Sequence, residues 1–315
     1  MKIKRLALII SVVSALGLVA RAQNYAIVDV SVACMREKDS FSSEMVSQAL
    51  LGTPVHVLDS TKWYHIETPE GYTGWVHYEV IRTMSREAYS RWNAAPKLVV
   101  TALQGLVKSE PCKHSQTISD VVAGDRLLLL GRSGKWWKAG FPDGREGWLH
   151  CSEAEELETW RKGLSLSPEA VIRTAKSMLG FPYLWAGMSP KGMDCSGFVR
   201  TVLAMHDVII PRDASQQARK GERIDDQSLL EPGDLLFFGR RTDSGEEKVG
   251  HVGIYIGEGR FIHSLGLVKI VSLRPEDPDY DAFNAGRYLF ASRILPYIGI
   301  EPGLETTATN PFYNE

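Results

Sequence analysis

Residues 25–84 and 97–156 carry one pattern twice, and this internal repeat constrains the fold more than any other feature of the chain. The run G-Y-T-G-W-V-H at residues 71–77 matches G-R-E-G-W-L-H at residues 144–150. In both copies, short alternating apolar runs are separated by Gly, Pro, Asp and Ser, which is typical of strands joined by turns. The sequence therefore predicts two small all-β units of the same architecture, followed by a third unit with a different pattern.

The third unit has helical patterns first and strand patterns afterwards. Ser167, Pro168 and Glu169 form a helix start. Gly180 is the corresponding stop signal. Strand-like runs follow at residues 234–238, 251–256, 260–263, 268–273 and 288–294. Helices followed by consecutive strands predict an α+β domain with an antiparallel sheet.

A single cysteine lies at the start of the second helical pattern of this unit. Asp194 is a good N-cap residue, and the apolar spacing from Phe198 to Leu203 indicates a helix that begins at Cys195. Backbone N–H groups and the helix dipole favour an anion there, so we expect the thiol pKa to fall below its free value of about 8.5. Cys195 is therefore a candidate nucleophile, and the alternative is a small buried cysteine with a packing role.

Two histidines are placed to serve such a thiol. His251 begins one strand-like run and His263 lies in the next, with the turn G-E-G at residues 257–259 between them. Because their separation is even, an antiparallel hairpin puts both on one face of the sheet. His251 can then be the base and His263 the residue that orients its ring. A zinc site made of Cys195 and the two histidines is the alternative chemistry.

Three motifs of the third unit, in this order, resemble the NlpC family of papain-like cell-wall peptidases: D-C-S-G-F at 194–198, G-H-V-G-I-Y-I-G at 250–257 and F-I-H-S at 261–264. The resemblance implies Cys195 as nucleophile, His251 as base and His263 as orienting residue, with no cofactor. The repeated β unit resembles the bacterial SH3 (SH3b) domain. Together they imply an α+β, papain-like NlpC catalytic domain, with helices packed on an antiparallel sheet, preceded by two small all-β SH3b barrels.

These matches set the expected domain boundaries. We expect a signal peptide at 1–22, SH3b domains at 23–84 and 97–156, linkers at 85–96 and 157–164, a catalytic domain at 165–296, and a tail at 297–315. The tail is rich in Gly, Pro and polar residues, so its end is expected to be poorly ordered.

Two SH3b units ahead of an NlpC domain are similar to γ-D-glutamyl-L-diamino-acid endopeptidases, which cut muropeptides after L-Ala-γ-D-Glu when the L-Ala amine is free. The resemblance implies that Tyr183 helps the oxyanion site, together with the Cys195 backbone N–H. A buried substrate ammonium needs anionic or polar partners. The resemblance places substrate-binding groups at Asp213, Glu44, Tyr78 and Ser196.

The second copy of the repeat supports a site role for Glu44 and Tyr78. It has Gln116 and Cys151 near the equivalent positions, so the shared fold does not require an acid and a phenol there. One departure from the family is Ala214, which stands where relatives often have serine and removes the basis for that polar contact.

The N-terminus has the three parts of a secretory signal. Basic residues at 2–5, an apolar run at 6–20 and A-R-A at 20–22 predict cleavage before Gln23 and export to the periplasm or the medium, without membrane attachment. The formal net charge of −2 argues against a nucleic-acid partner. Muropeptides are the expected partners, and a monomer is favoured. Cys112 and Cys151 could form a disulfide, which their spacing does not decide.

Two other functions would use the same features. One is a wall-binding protein whose NlpC-like domain is inert, and the other is an amidase or acyltransferase with the same three residues. Retention of Cys195, His251 and His263 favours an active enzyme, and an acidic pocket for an amine favours a peptidase over an acyltransferase. The sequence does not distinguish L-Lys from meso-diaminopimelate as the diamino acid.

Overall fold

The computed structural model describes residues 24–315, so the expected signal peptide at 1–22 lies outside the described residues. The described chain forms two seven-stranded sheets, one six-stranded sheet and two short two-stranded pairs, together with six α-helices. None of the helices within this part of the chain is long and apolar enough to cross a membrane.

The first β unit contains seven strands: β1 (Tyr25–Val28), β2 (Val32–Arg36), β3 (Met45–Leu50), β4 (Pro54–Ser60), β5 (Trp63–Glu67), β6 (Thr73–His77) and β7 (Ile81–Met84). The order across the antiparallel sheet is β3-β2-β6-β5-β4-β1-β7. Successive side chains of a strand point to opposite faces, so the apolar alternation fills one core. Its buried members include Ala26, Val28, Met35, Ile66 and Val76.

The second β unit repeats this topology. Its strands are β8 (Lys97–Val100), β9 (Gln104–Lys108), β10 (Thr117–Val122), β11 (Arg126–Ser133), β12 (Trp136–Gly140), β13 (Glu146–His150) and β14 (Ala154–Glu156). Their order is β10-β9-β13-β12-β11-β8-β14, which is the first order advanced by seven strands. The internal repeat of the sequence is therefore also a repeat of strand topology.

The two β units meet where the third strand of each turns into the fourth, between β3 and β4 in the first unit and between β10 and β11 in the second. The Leu51 backbone N–H donates to Asp125 Oδ1 at 3.0 Å, and the Arg126 N–H donates to the Leu51 carbonyl oxygen at 2.9 Å. Gly52 has a φ of 80°, and a Cβ there would lie 2.1 Å from the Arg126 carbonyl oxygen. Glycine is therefore needed at this position both for its backbone conformation and for the contact between the units.

Each β unit is followed by one helix. The linker predicted at 85–96 contains α1 (Arg86–Ala94), which begins after Ser85, whose side chain accepts from the Ala88 N–H. The second unit leads into α2 (Leu157–Gly163), which packs Leu157 and Trp160 against Val99 of the second sheet.

The third unit has four helices: α3 (Pro168–Ser177), α4 (Cys195–Ala204), α5 (Ala214–Gln217) and α6 (Ala282–Ala285). Its strands are β15 (Met188–Ser189), β16 (Gly192–Met193), β17 (Val208–Ile209), β18 (Glu222–Ile224), β19 (Leu235–Arg241), β20 (Glu247–Gly257), β21 (Arg260–Leu265), β22 (Leu267–Ser272), β23 (Tyr288–Arg293) and β24 (Glu305–Thr306).

Six of these strands form an antiparallel sheet in the order β18-β23-β19-β20-β21-β22. The helices α3 and α4 pack on the sheet through one apolar core, with buried residues that include Val171, Phe198, Val202, Phe237 and Ile254. The predicted α+β fold is confirmed. Each of the five predicted strands is present, with boundaries that differ by a few residues.

The C-terminal tail differs from the expectation of a poorly ordered end. Strand β24 pairs with β17, so the tail adds to the third unit. Further on, the Phe312 carbonyl oxygen accepts from the Tyr89 hydroxyl at 2.9 Å, and His56 Nε2 lies 3.3 Å from Glu315 Oε2. The prediction from polar composition was wrong because polar groups of the tail form hydrogen bonds with the first β unit and with α1.

A buried ion-pair cluster joins the second β unit, α2 and the tail to the third unit. The Asp207 carboxylate forms salt bridges with the guanidinium groups of Arg126, at 3.0 Å, and Arg161, at 3.1 Å. It also accepts a hydrogen bond from the Thr307 hydroxyl at 2.5 Å. The Asp207 side chain is only 7% exposed. A buried carboxylate that loses its charge leaves its guanidinium partners desolvated and uncompensated, which is a large cost.

We predict that Asp207→Asn lowers the free energy of unfolding by about 3 kcal/mol. Asn keeps the size of the side chain and tolerates the φ of 61° at this position, so the change isolates the charge. Urea unfolding followed by circular dichroism measures the loss. The matched control is Asp225→Asn, whose solvent-exposed pair with Arg223 should contribute much less to stability because water screens it. Equal losses for the two variants would contradict the prediction.

Candidate active site

Cys195 is the first residue of α4, and the residue before it caps the helix. Asp194 Oδ1 accepts a hydrogen bond from the Gly197 backbone N–H at 2.6 Å. The first turn lies directly on the preceding loop, since a Cβ at Gly197 would be 1.9 Å from the Gly187 carbonyl oxygen. The run D-C-S-G therefore combines a helix cap, a thiol and a close backbone contact that only glycine permits.

The environment of the thiol differs from the expectation drawn from the sequence. Cys195 is 9% exposed, and burial raises the pKa of its thiol to about 11, with Asp194 adding to the rise. Backbone N–H groups of Val252 and Ser196 lower this pKa by a smaller amount. The expected fall below the free value is wrong for this structure, because loss of water and a nearby carboxylate outweigh the helix N-terminus.

The β20–β21 hairpin brings the two histidines together. The loop between the strands is Glu258–Gly259, and both residues have positive φ, as a type I′ turn requires. The register sets Ile254 opposite Ile262, so the two histidines are diagonal neighbours on one face. His251 Nε2 lies 2.7 Å from His263 Nδ1, and the rings are nearly perpendicular, at 84°.

Both imidazoles are buried, and burial lowers the pKa of His251 to about 2 and that of His263 to about 4. The thiol and both rings are therefore neutral near pH 7. For His251 Nδ1 to accept a proton from the thiol, its Nε2–H must donate to His263 Nδ1. The proton of His263 is then on its Nε2, a buried atom with no hydrogen-bond partner among the described residues.

Cys195 and His251 line one open cavity of about 540 Å³ between the first β unit and the third unit. His263 stands behind His251 and does not line it. Residues of both units form the remaining wall, which includes Glu44, Val46 and Tyr72 from the first unit, and Tyr183, Trp185, Asp194, Ser196, Arg212, Asp213, Val249, Phe283 and Arg287 from the third.

One predicted substrate residue lies elsewhere. Glu44, Tyr183, Ser196 and Asp213 line the cavity, whereas Tyr78 does not. Tyr78 begins a 3₁₀ turn after β6, is 49% exposed and donates its hydroxyl to Glu79 at 3.4 Å.

Tyr72 supplies the phenol on the cavity wall instead. It precedes β6 while Tyr78 follows it, so the two tyrosines sit at opposite ends of that strand. The sequence lacked the strand orientation needed to choose between them.

A buried arginine that the sequence argument missed organises one side of the cavity. Arg212 is 1% exposed and pairs with Asp194 Oδ2 at 2.7 Å. It also donates to the Ser196 hydroxyl at 2.9 Å and to the Ser47 hydroxyl at 3.2 Å. Ser196 is therefore held in a polar network that reaches the first β unit. The sequence signal was its position directly before the predicted Asp213.

Two carboxylates of the cavity come from different units. Glu44 is exposed, and its Oε1 accepts from the Trp185 indole N–H at 2.8 Å. Asp213 is half-buried, and burial raises the pKa of its carboxyl, while Arg212 opposes that rise. No salt bridge to Asp213 occurs in the part of the chain that the structure describes. Its carboxyl group lines the cavity and interacts electrostatically with Arg212 and Arg200.

Tyr183 is held in the loop that precedes the cysteine. Its backbone N–H donates to the Gly266 carbonyl oxygen at 2.9 Å, which ties the loop to the β21–β22 turn. Burial, followed by the nearby Cys195, raises the pKa of its phenol to about 12. The hydroxyl therefore keeps its proton and can act as a hydrogen-bond donor.

No group of three His, Cys, Asp or Glu side chains that could hold a metal ion occurs within residues 24–315. In the predicted zinc alternative, His251 Nε2 and His263 Nδ1 would be free for an ion, but here they bond to each other. Cys34, Cys112, Cys151 and Cys195 are free thiols, so the disulfide left open by the sequence is not formed in this structure.

Comparison with known proteins relates the units to two families. The model of the NlpC/P60 family matches residues 180–284, which include the cysteine and both histidines. The model of the bacterial SH3 domain matches residues 31–82, within the first β unit.

Two curated relatives match most of the chain. A gamma-D-glutamyl-L-lysine dipeptidyl-peptidase of Bacillus cereus is 33% identical over 265 residues, covering 81% of this chain and 77% of the relative. Dipeptidyl-peptidase 6 of Lysinibacillus sphaericus is 28% identical over 274 residues, covering 81% and 94%. Among solved structures, an NlpC/P60 family protein from Bacillus cereus has a TM-score of 0.73 at 28% identity, covering 86% of this chain and 100% of the other.

We predict that alkylation of Cys195 by iodoacetamide accelerates with pH up to about 10. The thiolate reacts, and below a raised pKa its fraction grows about tenfold for each pH unit. The measurement is the rate of Cys195 carbamidomethylation, followed by peptide mass, because Cys34 and Cys112 are exposed and react too. These two exposed cysteines serve as internal references. A rate for Cys195 that is already constant below pH 7 would reveal a preformed thiolate and contradict the prediction.

Proposed function

The chain is a cysteine peptidase of the NlpC/P60 family, and we propose that it hydrolyses the bond between γ-D-Glu and the L-diamino acid of peptidoglycan stem peptides that have a free N-terminal L-Ala. The products are L-Ala-γ-D-Glu and a peptide that begins with L-Lys or meso-diaminopimelate. One observation carries the proposal: Cys195 and His251 share a cavity with Glu44 and Asp213, carboxylates from two different units. The name of the Bacillus cereus relative, gamma-D-glutamyl-L-lysine dipeptidyl-peptidase, supports this bond specificity, and the Lysinibacillus sphaericus relative is named as a dipeptidyl-peptidase.

In the proposed reaction, Cys195 is the nucleophile and His251 the general base. The thiol proton passes to His251 Nδ1 as Sγ attacks the γ-carbonyl carbon of D-Glu. His263 accepts the hydrogen bond from His251 Nε2 and fixes the direction of the ring. Because the thiol and imidazole start neutral, His251 must take the proton during attack.

The carbonyl oxygen becomes negative in the tetrahedral intermediate. The Cys195 backbone N–H and the Tyr183 hydroxyl are the proposed donors to it, and the raised pKa of Tyr183 keeps that hydroxyl protonated. Collapse of the intermediate breaks the C–N bond, and the imidazolium gives its proton to the leaving amine. Water then attacks the thioester, with His251 again as base, and releases the dipeptide acid and the free thiol.

The acidic end of the cavity is proposed to bind the L-Ala ammonium. Asp213 and Glu44 are the carboxylates, and Tyr72 adds a phenol in place of the predicted Tyr78. An ammonium moved from water into such a site needs charged partners, and an acylated amine would leave both carboxylates without one. An acyltransferase has no need of this end of the cavity, which favours the peptidase.

We propose that the second β unit, at 97–156, is also an SH3b domain. The support is its strand order, which matches that of the first unit, and its repeated sequence pattern. The proposed boundaries remain 23–84, 97–156 and 165–296. The tail beyond 297 makes contacts with all three units.

The proposed setting is outside the cytoplasm, in turnover or recycling of cell-wall peptides. The basic, apolar and A-R-A order of residues 2–22 supports export and cleavage before Gln23. A bacterial SH3 match in the same chain is consistent with peptidoglycan fragments as substrate.

We predict that L-Ala-γ-D-Glu-L-Lys is cleaved to the dipeptide and lysine, whereas the same peptide acetylated on Ala has a kcat/KM lower by at least about 100-fold. Products identified by mass give the bond that is cut. The Cys195→Ala variant is the blank, because loss of the nucleophile should remove turnover. Similar rates for the acetylated and free peptides would show that the cavity does not require an ammonium.

We predict that Tyr72→Phe and Tyr78→Phe behave differently on the free tripeptide. Loss of the Tyr72 hydroxyl should lower kcat/KM by about 10-fold or more, since a hydrogen bond to a charged group contributes about 1.5 kcal/mol or more. Tyr78→Phe is the matched control and should leave kcat/KM unchanged, because Tyr78 does not line the cavity. The reverse pattern would restore Tyr78 as the substrate residue.

A further inference from the structure

Arg287 lines the same cavity and has no role in the proposed reaction. It is the last residue before β23, and its backbone carbonyl oxygen accepts from the Gly239 N–H at 2.8 Å. Its Nε donates to Asn284 Oδ1 at 3.0 Å, and its guanidinium lies 4.4 Å from the centroid of the Phe283 ring. Within residues 24–315, no carboxylate forms a salt bridge with it.

The side chain is held in position from behind. Asn284 is fully buried, and its amide donates to Asp281 Oδ2 at 2.5 Å, so the oxygen that receives Arg287 Nε is fixed. Phe283 lies over the guanidinium, and Nε is the one guanidinium nitrogen with a hydrogen bond among the described residues. A planar guanidinium with a free edge is the group that best matches a carboxylate through two parallel hydrogen bonds.

Arg287 belongs to the sheet side of the cavity, with the histidines. The register places Tyr288 of β23 opposite Phe238 of β19, and Phe238 opposite His251 of β20. Arg287, which directly precedes Tyr288, therefore lies next to the line of paired residues that runs across the sheet to the proposed base His251. Its positive charge is close enough to interact with Cys195 and to lower the pKa of His251.

The two carboxylates proposed for the ammonium come from other elements. Glu44 precedes β3 of the first unit, and Asp213 precedes α5. Asp213 interacts with Arg212, Asp194 and Arg200, whereas the carboxylate that acts on Arg287 is Asp281. The cavity therefore presents acids from one set of elements and, from another, one arginine that has no salt bridge within residues 24–315.

We propose that Arg287 binds a substrate carboxylate next to the scissile bond and makes the enzyme specific for peptides that carry one. This inference rests on the proposed function. A D-Glu residue linked through its side chain keeps a free α-carboxylate unless that group is amidated, and a C-terminal diamino acid supplies a second one. Both sources have the same chemistry, and both lie within one residue of the bond that Cys195 attacks.

The test is a double-mutant cycle between the enzyme and the substrate. kcat/KM is measured for the wild type and Arg287→Gln on three peptides: L-Ala-γ-D-Glu-L-Lys, the analogue with D-Glu α-carboxamide, and the analogue with L-lysinamide. Arg287→Gln should lower kcat/KM on the free tripeptide by about 10- to 100-fold. The wild type should lose a similar factor on the one analogue whose missing carboxylate Arg287 binds, and Arg287→Gln should lose nothing further on it.

Two more variants separate a binding role from a structural one. Arg287→Lys keeps the charge without the planar edge, so its kcat/KM on the free tripeptide should lie between those of the wild type and Arg287→Gln. On the analogue that lacks the carboxylate bound by Arg287, its loss relative to the wild type should be smaller. Arg274→Gln removes an exposed arginine outside the cavity and should match the wild type on all three peptides. The rate of Cys195 alkylation and the melting temperature report on the fold of each variant.

Equal losses for Arg287→Gln on all three peptides, or no loss on any, would overturn the role of Arg287 while leaving the proposed function intact. Failure of the wild type to cut any of the three peptides would instead contradict the proposed function, and this inference with it. If the losses in kcat/KM from Arg287→Gln and from the lysinamide are non-additive, while those from Arg287→Gln and from the D-Glu carboxamide are additive, Arg287 binds the carboxylate of the diamino acid. The opposite pattern would assign the bound carboxylate to D-Glu.

Discussion

The buried pair between Arg212 and Asp194 is the interaction on which the site depends. Asp194 caps α4 and so sets the position of Cys195, while the same carboxylate receives Arg212 at 2.7 Å. Arg212 extends the network to Ser47 of the first β unit. Two charges buried this deeply are tolerated only when each has its full set of partners. The start of α4, the position of the thiol and the docking of the first β unit therefore all depend on this one network.

The same burial decides the protonation of the reacting groups. At an exposed helix N-terminus a thiol would ionise more easily, but Cys195 has lost most of its water and lies beside Asp194. His251 is likewise held neutral by burial and by the neighbouring imidazole. In the proposed reaction, charge therefore has to develop during attack, and the Tyr183 hydroxyl and the Cys195 backbone N–H are the groups proposed to stabilise it.

The two β units have the same strand topology but different structural roles. The first contributes Glu44 and Tyr72 to the cavity wall. The second contributes Arg126 to the buried cluster around Asp207, which also holds Arg161 and the tail residue Thr307. One copy therefore shapes the cavity, while the other, with the tail, holds the units in a fixed relation.

The sequence by itself determined the β repeat, the α+β order of the third unit, the capped cysteine and the pairing of His251 with His263, because each depends on local periodicity or on a short turn. Only the tertiary structure decided which groups meet across units. Tyr72 rather than Tyr78 lines the cavity, Arg287 joins it from the connection between α6 and β23, and the polar tail is docked. The thiol pKa also belongs to this second class, because desolvation depends on everything packed around the sulfur and not on the helix start alone.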